Sequence, residues 1–321
     1  MLNENWCTQV ARAAAGFTEL VASGWSLPLP GRGSTSRRWT GLAALGARDL
    51  PLARLAEGHA DAVAVLAELG GPEPPPGARL GVWAAEPPDG RVTATRDGGR
   101  WSLTGTKRWC SGARVCTAAL VTAHAEDGRR LFLVDLADPG AVAVPGSWAT
   151  PGMAGSDTVD VRFDGVPAQP VGGVRAYLDR PGFWHGGIGV AAVWAGGARA
   201  VADRLAAAVA AGPDPHRDAA WGAVDVALSA LEAALVVAAA EVDADPADRA
   251  GTAAVRAQRV RGLAARTGLE VLAATGRVLG AGPAAHDAGH AARCADLEVY
   301  LRQHHGERDL AALAEPLRAG R

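Results

Sequence analysis

Cysteine is scarce and scattered. Cys7, Cys110, Cys116 and Cys294 form no Cys-x-x-Cys pair and no Cys/His cluster at zinc spacing, which excludes a disulfide framework and a zinc site as organising features. Charge of one sign is lacking too. The 32 basic and 34 acidic residues leave a net charge of −2, and no nucleic-acid or membrane-surface partner is indicated. Arg256, Arg259, Arg261 and Arg266 cluster, but acids elsewhere balance them and they read as a solvated helix face. Long hydrophobic runs are missing as well: the richest stretch, Ala227 to Ala240, is cut by Glu232, short of the ~20 apolar residues of a membrane span. The start carries acids and polars where a secretory signal needs basic residues and then an apolar run. These absences lead to the expectation of a cytoplasmic, reduced, soluble protein.

What is present is length and apolar content. With 321 residues, 49% of them hydrophobic, two or three packed units with a large core are expected. Three textures follow one another. Over residues 1–78 the pattern is helical, with Leu55, Val63 and Leu66 near helical steps and Arg54, Glu57 and Asp61 between them. The stretch from Pro30 to Arg38 reads as a loop, and three consecutive prolines near Gly70–Gly81 end any helix. Over residues 79–173 the period changes to two. Short runs at Arg91–Thr95, Trp101–Thr104, Ala118–Thr122, Leu131–Asp135 and Thr158–Phe163 are separated by turn clusters, among them Phe163-Asp-Gly-Val-Pro167, and an antiparallel barrel or sandwich is expected. From residue 174 to 321 the helical texture returns. Val224, Leu228, Leu231 and Leu235 form one apolar stripe and Val260, Leu263, Thr267 and Val271 another, as in a four-helix-type bundle. The fold class is therefore α+β, ordered as helices, strands, helices.

Three linear motifs sharpen this. Ala84-Ala-Glu-Pro87 stands at a strand end, Gly105-Thr-Lys-Arg-Trp-Cys-Ser111 follows, and Gly152-Met-Ala-Gly-Ser-Asp-Thr158 runs into Val161-Arg-Phe-Asp-Gly-Val-Pro167. In kind and order they resemble the motifs of the acyl-CoA dehydrogenases. The resemblance implies a FAD-binding oxidoreductase that oxidises an acyl thioester at Cα–Cβ with hydride transfer to the flavin. Trp109 would lie against the flavin ring, Ser111 would donate to its N5/O4 edge, and Ala84 and Ala85 would border it. The chemistry suits these residue types, since a flat reducible aromatic needs an apolar wall and a donor near N5 stabilises the charge that arrives with a hydride. Outside the motif, Trp109 would read as a core aromatic and Ser111 as a turn residue. Trp184 and His185 stand where the family lines its acyl pocket; the alternative is a packed Trp and a capping His. The resemblance further implies a homodimer or homotetramer, or a hetero-oligomer with a paralogue.

The departures are specific. The glycine-rich segment that follows Glu-Pro in the family and holds the cofactor's phosphates is replaced here by Pro87-Pro88, which offer no N–H. The family's Arg-x-x-Phe-Gly is absent, and Pro213 to Asp218 stand in its place. Arg302 occupies the usual position of the catalytic Glu, and an arginine cannot serve as a base near neutral pH. Glu307, with His304 and His305 beside it, is the substitute the sequence offers; otherwise these are charges at a polar helix end. Two further readings stay open. One is a degenerate, non-catalytic subunit partner. The other is a flavin-dependent monooxygenase of the same fold, which needs no carboxylate to take an α-proton.

Overall fold

The computed structural model describes residues 4–319. In chain order the elements are α1 (Glu4–Ala22), α2 (Thr35–Arg48), α3 (Leu50–Leu69), β1 (Leu80–Trp83), β2 (Val92–Asp97), β3 (Arg100–Cys110), β4 (Ala118–Ala125), β5 (Gly128–Asp135), β6 (Ala141–Val144), β7 (Val159–Val171), α4 (Ala176–Asp179), α5 (Gly182–Ala210), α6 (Pro215–Ala244), α7 (Ala253–Leu279), α8 (Ala281–His286), α9 (Ala288–Leu301) and α10 (Glu307–Ala319). The expected α+β order holds. The chain divides into two compact units, and the N-terminal helical segment is shared between them: α1 and most of α3 go with the strands, α2 with the C-terminal helices.

In the first unit the strands close into a barrel. β4 pairs with β5, β5 with β7, β7 with β3 and β3 with β2, all antiparallel. β2 returns to β4 through one parallel pair, Thr93 with His124, and β1 also lies parallel on β4. The expected antiparallel barrel is thus mixed at one seam. Period-two alternation sorts side chains to its two faces. Ala119, Val121 and Ala123 of β4 and Phe132 and Val134 of β5 enter one core with Trp83, Leu103 and Phe163. Leu120 and Leu131 face the other way, against Ala62, Val65 and Leu66 of α3.

One expectation is corrected here. Phe163-Asp-Gly-Val-Pro167 is no turn, because β7 runs through it without a break. Gly165 takes φ +66° and donates its N–H to Thr104 Oγ1, beside a register shift between Leu103 and Gly105. The turn-forming residues therefore make a bulge in a continuing strand. α3 buries polar residues together with its apolar ones. Glu57 and His59 are buried along with nearly every residue from Ala53 to Leu66. Arg54 pairs with Glu57, His59 Nδ1 accepts from the Leu80 N–H at 3.3 Å, and burial holds the His59 pKa low.

The second unit is helical. α6 packs on α7 and α2, and α7 on α9 and α10. Val224, Leu228 and Leu231 of α6 and Val260, Thr267 and Val271 of α7 are buried, as their spacing predicts, while Leu235 and Leu263 are half-buried. The loop expected from Pro30 to Arg38 is helical from Thr35. Asp243 makes it so by accepting from Gly33 N, Thr35 N and Thr35 Oγ1, satisfying helix-start donors from about 208 residues away. By length and composition alone α6 could cross a membrane, the one such helix among the described residues, although Glu232 interrupts it.

α2 and α5 touch backbone to backbone. A Cβ on Gly46 would run into the Val193 carbonyl, and one on Gly196 into the Ala43 carbonyl. Gly196→Ala is therefore expected to lower stability by about 2–3 kcal/mol or more, because a backbone contact cannot yield as a side chain can. Chemical denaturation of the variant beside Gly276→Ala, where a Cβ meets nothing, checks this; the second variant should unfold close to wild type.

Candidate functional site

The strand β3 ends in a distortion that sets the site. Between Lys107 and Cys110 its pairing with β7 shifts register, and Trp109 sits at φ +58°. A bulky residue in the left-handed region carries strain, and such residues concentrate at functional positions. Asp160, itself buried, holds the distortion in place. Its carboxylate accepts from Arg108 at 2.5 Å and from the Trp109 N–H at 3.4 Å. The result is an indole 54% exposed, beside a core that buries Trp83 and Phe163.

Two residues on, Ser111 is buried but for a small part of its surface. Its carbonyl accepts from Trp83 Nε1 at 3.0 Å, and its hydroxyl bonds Thr158 Oγ1 at 2.9 Å. Thr158 bonds Ser156 Oγ at 2.7 Å. Asp157, also buried and at φ +46°, pairs with Arg114, whose guanidinium lies 5.0 Å from the Trp6 ring centroid. The Gly-Ser-Asp-Thr158 run is thus the brace of the segment from Ser111 to Arg114.

The segment after β1 is held from below. Lys107, the chain's sole lysine, is fully buried and donates to Glu86 Oε1 at 2.9 Å and to the Thr122 carbonyl and hydroxyl at 2.8 Å each. Glu86 also meets His124 Nε2 at 2.5 Å and Thr122 Oγ1 at 2.9 Å. Arg129 donates to the Ala84 carbonyl at 2.7 Å. Burial would raise the Glu86 pKa, but the Lys107 hydrogen bond and charge, with His124 and Thr122, outweigh it and hold the carboxyl at about 2. Burial pushes Lys107 down against the opposing pull of Glu86. Ala84 and Ala85, half-buried, continue from this anchor. Beyond them Pro87 to Gly90 close a turn, with Gly90 N bonded to the Pro87 carbonyl and Asp89 paired to Arg108. Two prolines and one committed N–H leave little there for a phosphate.

The remaining candidate residues lie in the second unit. His185, buried, and Trp184, half-buried, are in the first turn of α5. His304 accepts from Gly306 N, and His305 bonds Asp309 through both backbone and ring; burial lowers the His304 pKa. Arg302 caps α9, exposed, 3.5 Å from Glu298, and Glu307 opens α10, also exposed. Arg261 joins the two groups by donating to the Gly187 carbonyl at 3.0 Å and the Gln303 carbonyl at 3.2 Å, with its guanidinium 4.9 Å from the Trp194 ring centroid. This corrects the reading of the arginine cluster as a solvated face: Arg261 is structural and Arg256 pairs with Glu241, whereas Arg259 and Arg266 are exposed. Thr158 and Lys107, to which sequence reasoning gave no role, lay inside the motifs, whereas nothing near Arg261 in sequence marked it as a carbonyl-binding residue.

A closed barrel with a helical bundle, and an aromatic and a hydroxyl presented at the end of one barrel strand, define a class: the acyl-CoA dehydrogenase fold. Residues 86–166 match the acyl-CoA dehydrogenase middle domain, and the chain as a whole has that fold. No curated protein matches it in sequence. Dibenzothiophene monooxygenase from Paenibacillus sp. A11-2 superposes with a TM-score of 0.77 at 19% identity, over 99% of this chain and 98% of that one. Nitrososynthase from Micromonospora carbonacea var. africana gives 0.74 at 19%, over 99% and 97%. Glutaryl-CoA dehydrogenase from Mycobacterium smegmatis gives 0.75 at 20%, over 92% and 84%.

The Glu86 anchor has a pH signature. Its folded pKa of about 2 lies below the ordinary 4.5, so its contribution to stability is full above pH 4.5 and is lost as pH falls towards 2. Glu86→Gln should be less stable than wild type at neutral pH, and the gap should narrow on acidification through that window. Unfolding midpoints measured along a pH series provide the check.

Proposed function

We propose that the chain is a flavin-dependent oxidoreductase whose isoalloxazine ring lies on Trp109 and Ser111, and that it oxygenates a small organic substrate using O2. The observation that carries the flavin reading is the exposed indole of Trp109, held in the left-handed region beside a hydroxyl donor. A flat aromatic ligand finds an apolar wall there, Ser111 gives a hydrogen bond at its edge, and the methyl side chains of Ala84 and Ala85 leave room. The donor-poor turn at Pro87 to Gly90 suits a smaller group better than the dinucleotide the family motifs imply, which favours FMN over FAD. Dibenzothiophene monooxygenase has been crystallised with FMN, and KijD3 with FMN and a dTDP-amino sugar.

Monooxygenation is favoured over dehydrogenation by the chain's own bases. Arg302 holds the family's base position and is exposed, and Glu307 is exposed at a helix start; neither is in the enclosed setting that a proton abstractor needs. A bound reduced flavin supplies two electrons to O2, so that one oxygen atom enters the substrate and the other leaves as water. The residues of the first unit would bind the ring and donate to its edge; Trp184, His185, His304 and His305 remain the pocket residues that the family resemblance implies. Acyl-thioester dehydrogenation with Glu307 as base is the second reading, supported by the middle-domain match.

Titration of the purified protein with FMN and FAD, followed by oxygen uptake with the reduced complex and indole as probe, tests this. FMN is expected to bind more tightly, Trp109→Ala to weaken it at least about tenfold, or ~1.4 kcal/mol, and Glu307→Gln to leave oxygenation unchanged. Anaerobic oxidation of an acyl-CoA that Glu307→Gln abolishes would instead establish the dehydrogenase. Binding of neither flavin would leave the non-catalytic subunit reading.

The proposal extends to assembly as a homo-oligomer through α6. Ala219, Ala223, Val226, Ala230, Ala233, Val237 and Ala240 are all exposed and alternate at steps of four and three, the seam of a helix that pairs with another. Val226 is 70% and Val237 57% exposed. Asp218, Asp225 and Glu232, exposed along the flank, suit a wetted rim and not a bilayer. Replacing Val226 and Val237 by Glu should turn a dimer or tetramer into monomer, read by sedimentation velocity, with the unfolding midpoint tracking protein concentration only in the parent.

A further inference from the structure

We infer that Thr158 is a positioning residue for the Ser111 hydroxyl, acting through a one-way chain of hydroxyl groups that leaves the Ser111 proton free for a ligand. The inference rests on the flavin reading above and assigns a task within that site to a residue that the reading does not use.

The geometry is a row of three buried hydroxyls. Ser156 Oγ lies 2.7 Å from Thr158 Oγ1, and Thr158 Oγ1 lies 2.9 Å from Ser111 Oγ. Each hydroxyl has a single proton to give. If Ser156 donates to Thr158 and Thr158 to Ser111, the Ser111 proton is committed to neither neighbour and can point outward. If the row runs the other way, Ser111 spends its proton on Thr158 and offers a ligand only lone pairs. An acceptor atom at Ser111, such as a ring nitrogen or carbonyl of a flavin, selects the first direction. Donation into Ser111 also polarises its O–H and strengthens the bond it makes in turn.

The row is stiff. Ser111 is fixed by Trp83 Nε1 on its carbonyl, and Ser156 by the Gly112 N–H on its carbonyl at 2.8 Å. Asp157, between Ser156 and Thr158, is locked by Arg114. Ser156 and Thr158 are both buried, so bulk water cannot readily replace a missing partner. Losing the Thr158 hydroxyl should therefore be felt at Ser111 and not be absorbed by rearrangement.

The experiment is a double-mutant cycle on flavin affinity, with FMN as the probe and fluorescence quenching as the readout, independent of turnover. Thr158→Val keeps the shape and removes the hydroxyl. It is expected to weaken FMN about five- to tenfold, whereas Thr158→Ser stays within about twofold of wild type. Ser111→Ala should weaken FMN comparably, and adding Thr158→Val to it should cost almost nothing more, because the path through Ser111 is already gone. A Thr158→Val effect that persists in full on the Ser111→Ala background would overturn the inference, as would FMN binding unchanged by Thr158→Val. Should Thr158→Val not fold, Thr158→Ala removes the same hydroxyl and is read on the same cycle. If wild type binds no flavin, the functional reading fails first; if wild type binds and Thr158→Val is neutral, only the present inference fails.

Discussion

The ion pair of Lys107 with Glu86 is the constraint around which the first unit is arranged. The chain contains 32 basic side chains and only one is lysine, placed where an arginine fork would not fit: a fully enclosed point with three acceptors converging at 2.8–2.9 Å. An ammonium has three donors on a compact centre, whereas guanidinium is planar and wide. Taking that charge out of water is costly, and the cost is offset only because every proton is used. The bonds join β3 to β4 and to the segment after β1, and Arg129 of β5 reaches the same segment through the Ala84 carbonyl. One buried charge therefore ties two strands to the chain that carries Ala84 and Ala85, and Arg129 adds a third.

Two residues further along β3 the opposite happens. Lys107 is fixed by a full set of partners, and the strand then gives way in a bulge that turns Trp109 outward at φ +58°. Regular pairing would alternate side chains strictly between the two faces of the sheet. The irregularity is stable because Asp160 on β7 takes both Arg108 and the Trp109 N–H, and because pairing resumes at Cys110 with Val159. Rigid anchor, strained display and renewed pairing occupy four consecutive positions. That is how a barrel strand presents a large aromatic without losing its core.

Much of this was legible in the residues. The change of period from helical to alternating located the barrel, and the apolar stripes at Val224 to Leu235 and Val260 to Val271 predicted core faces that are buried except at the half-buried Leu235 and Leu263. Trp109 and Ser111 stood out through motif order, not through any local property. What escaped reading depends on distance in sequence. Asp243 starts a helix 208 residues before it, Arg261 binds carbonyls 74 and 42 residues away, and neither leaves a trace in its own neighbourhood. The burial of polar residues in α3 was equally illegible, because Glu57 is paired by Arg54 and His59 by a strand 21 residues on. The Asp164-Gly165 pair misled, since turn residues with a partner strand alongside make a bulge and not a reversal.

The site's chemistry follows from an asymmetry between what is built and what is open. On the side that the proposed flavin ring would face everything is braced: Trp109 by Asp160, Ser111 by Trp83 and Thr158, Ala84 by Arg129. On the side where the family motifs would place phosphates, Pro87 to Gly90 form a closed turn with few donors. In the second unit, Arg302 and Glu307, the residues that the resemblance assigns to proton abstraction, are exposed, the first beside Glu298 and the second at a helix start. A dehydrogenase needs its base held at the substrate's α-carbon in a setting that tunes its pKa, whereas an oxygenase requires a protected ring and a substrate brought to it. Preorganisation concentrated around Trp109 and Ser111, with none at Glu307, is the distribution expected under the proposal that a bound redox group performs the bond-making step and the protein's part is to hold, orient and exclude water.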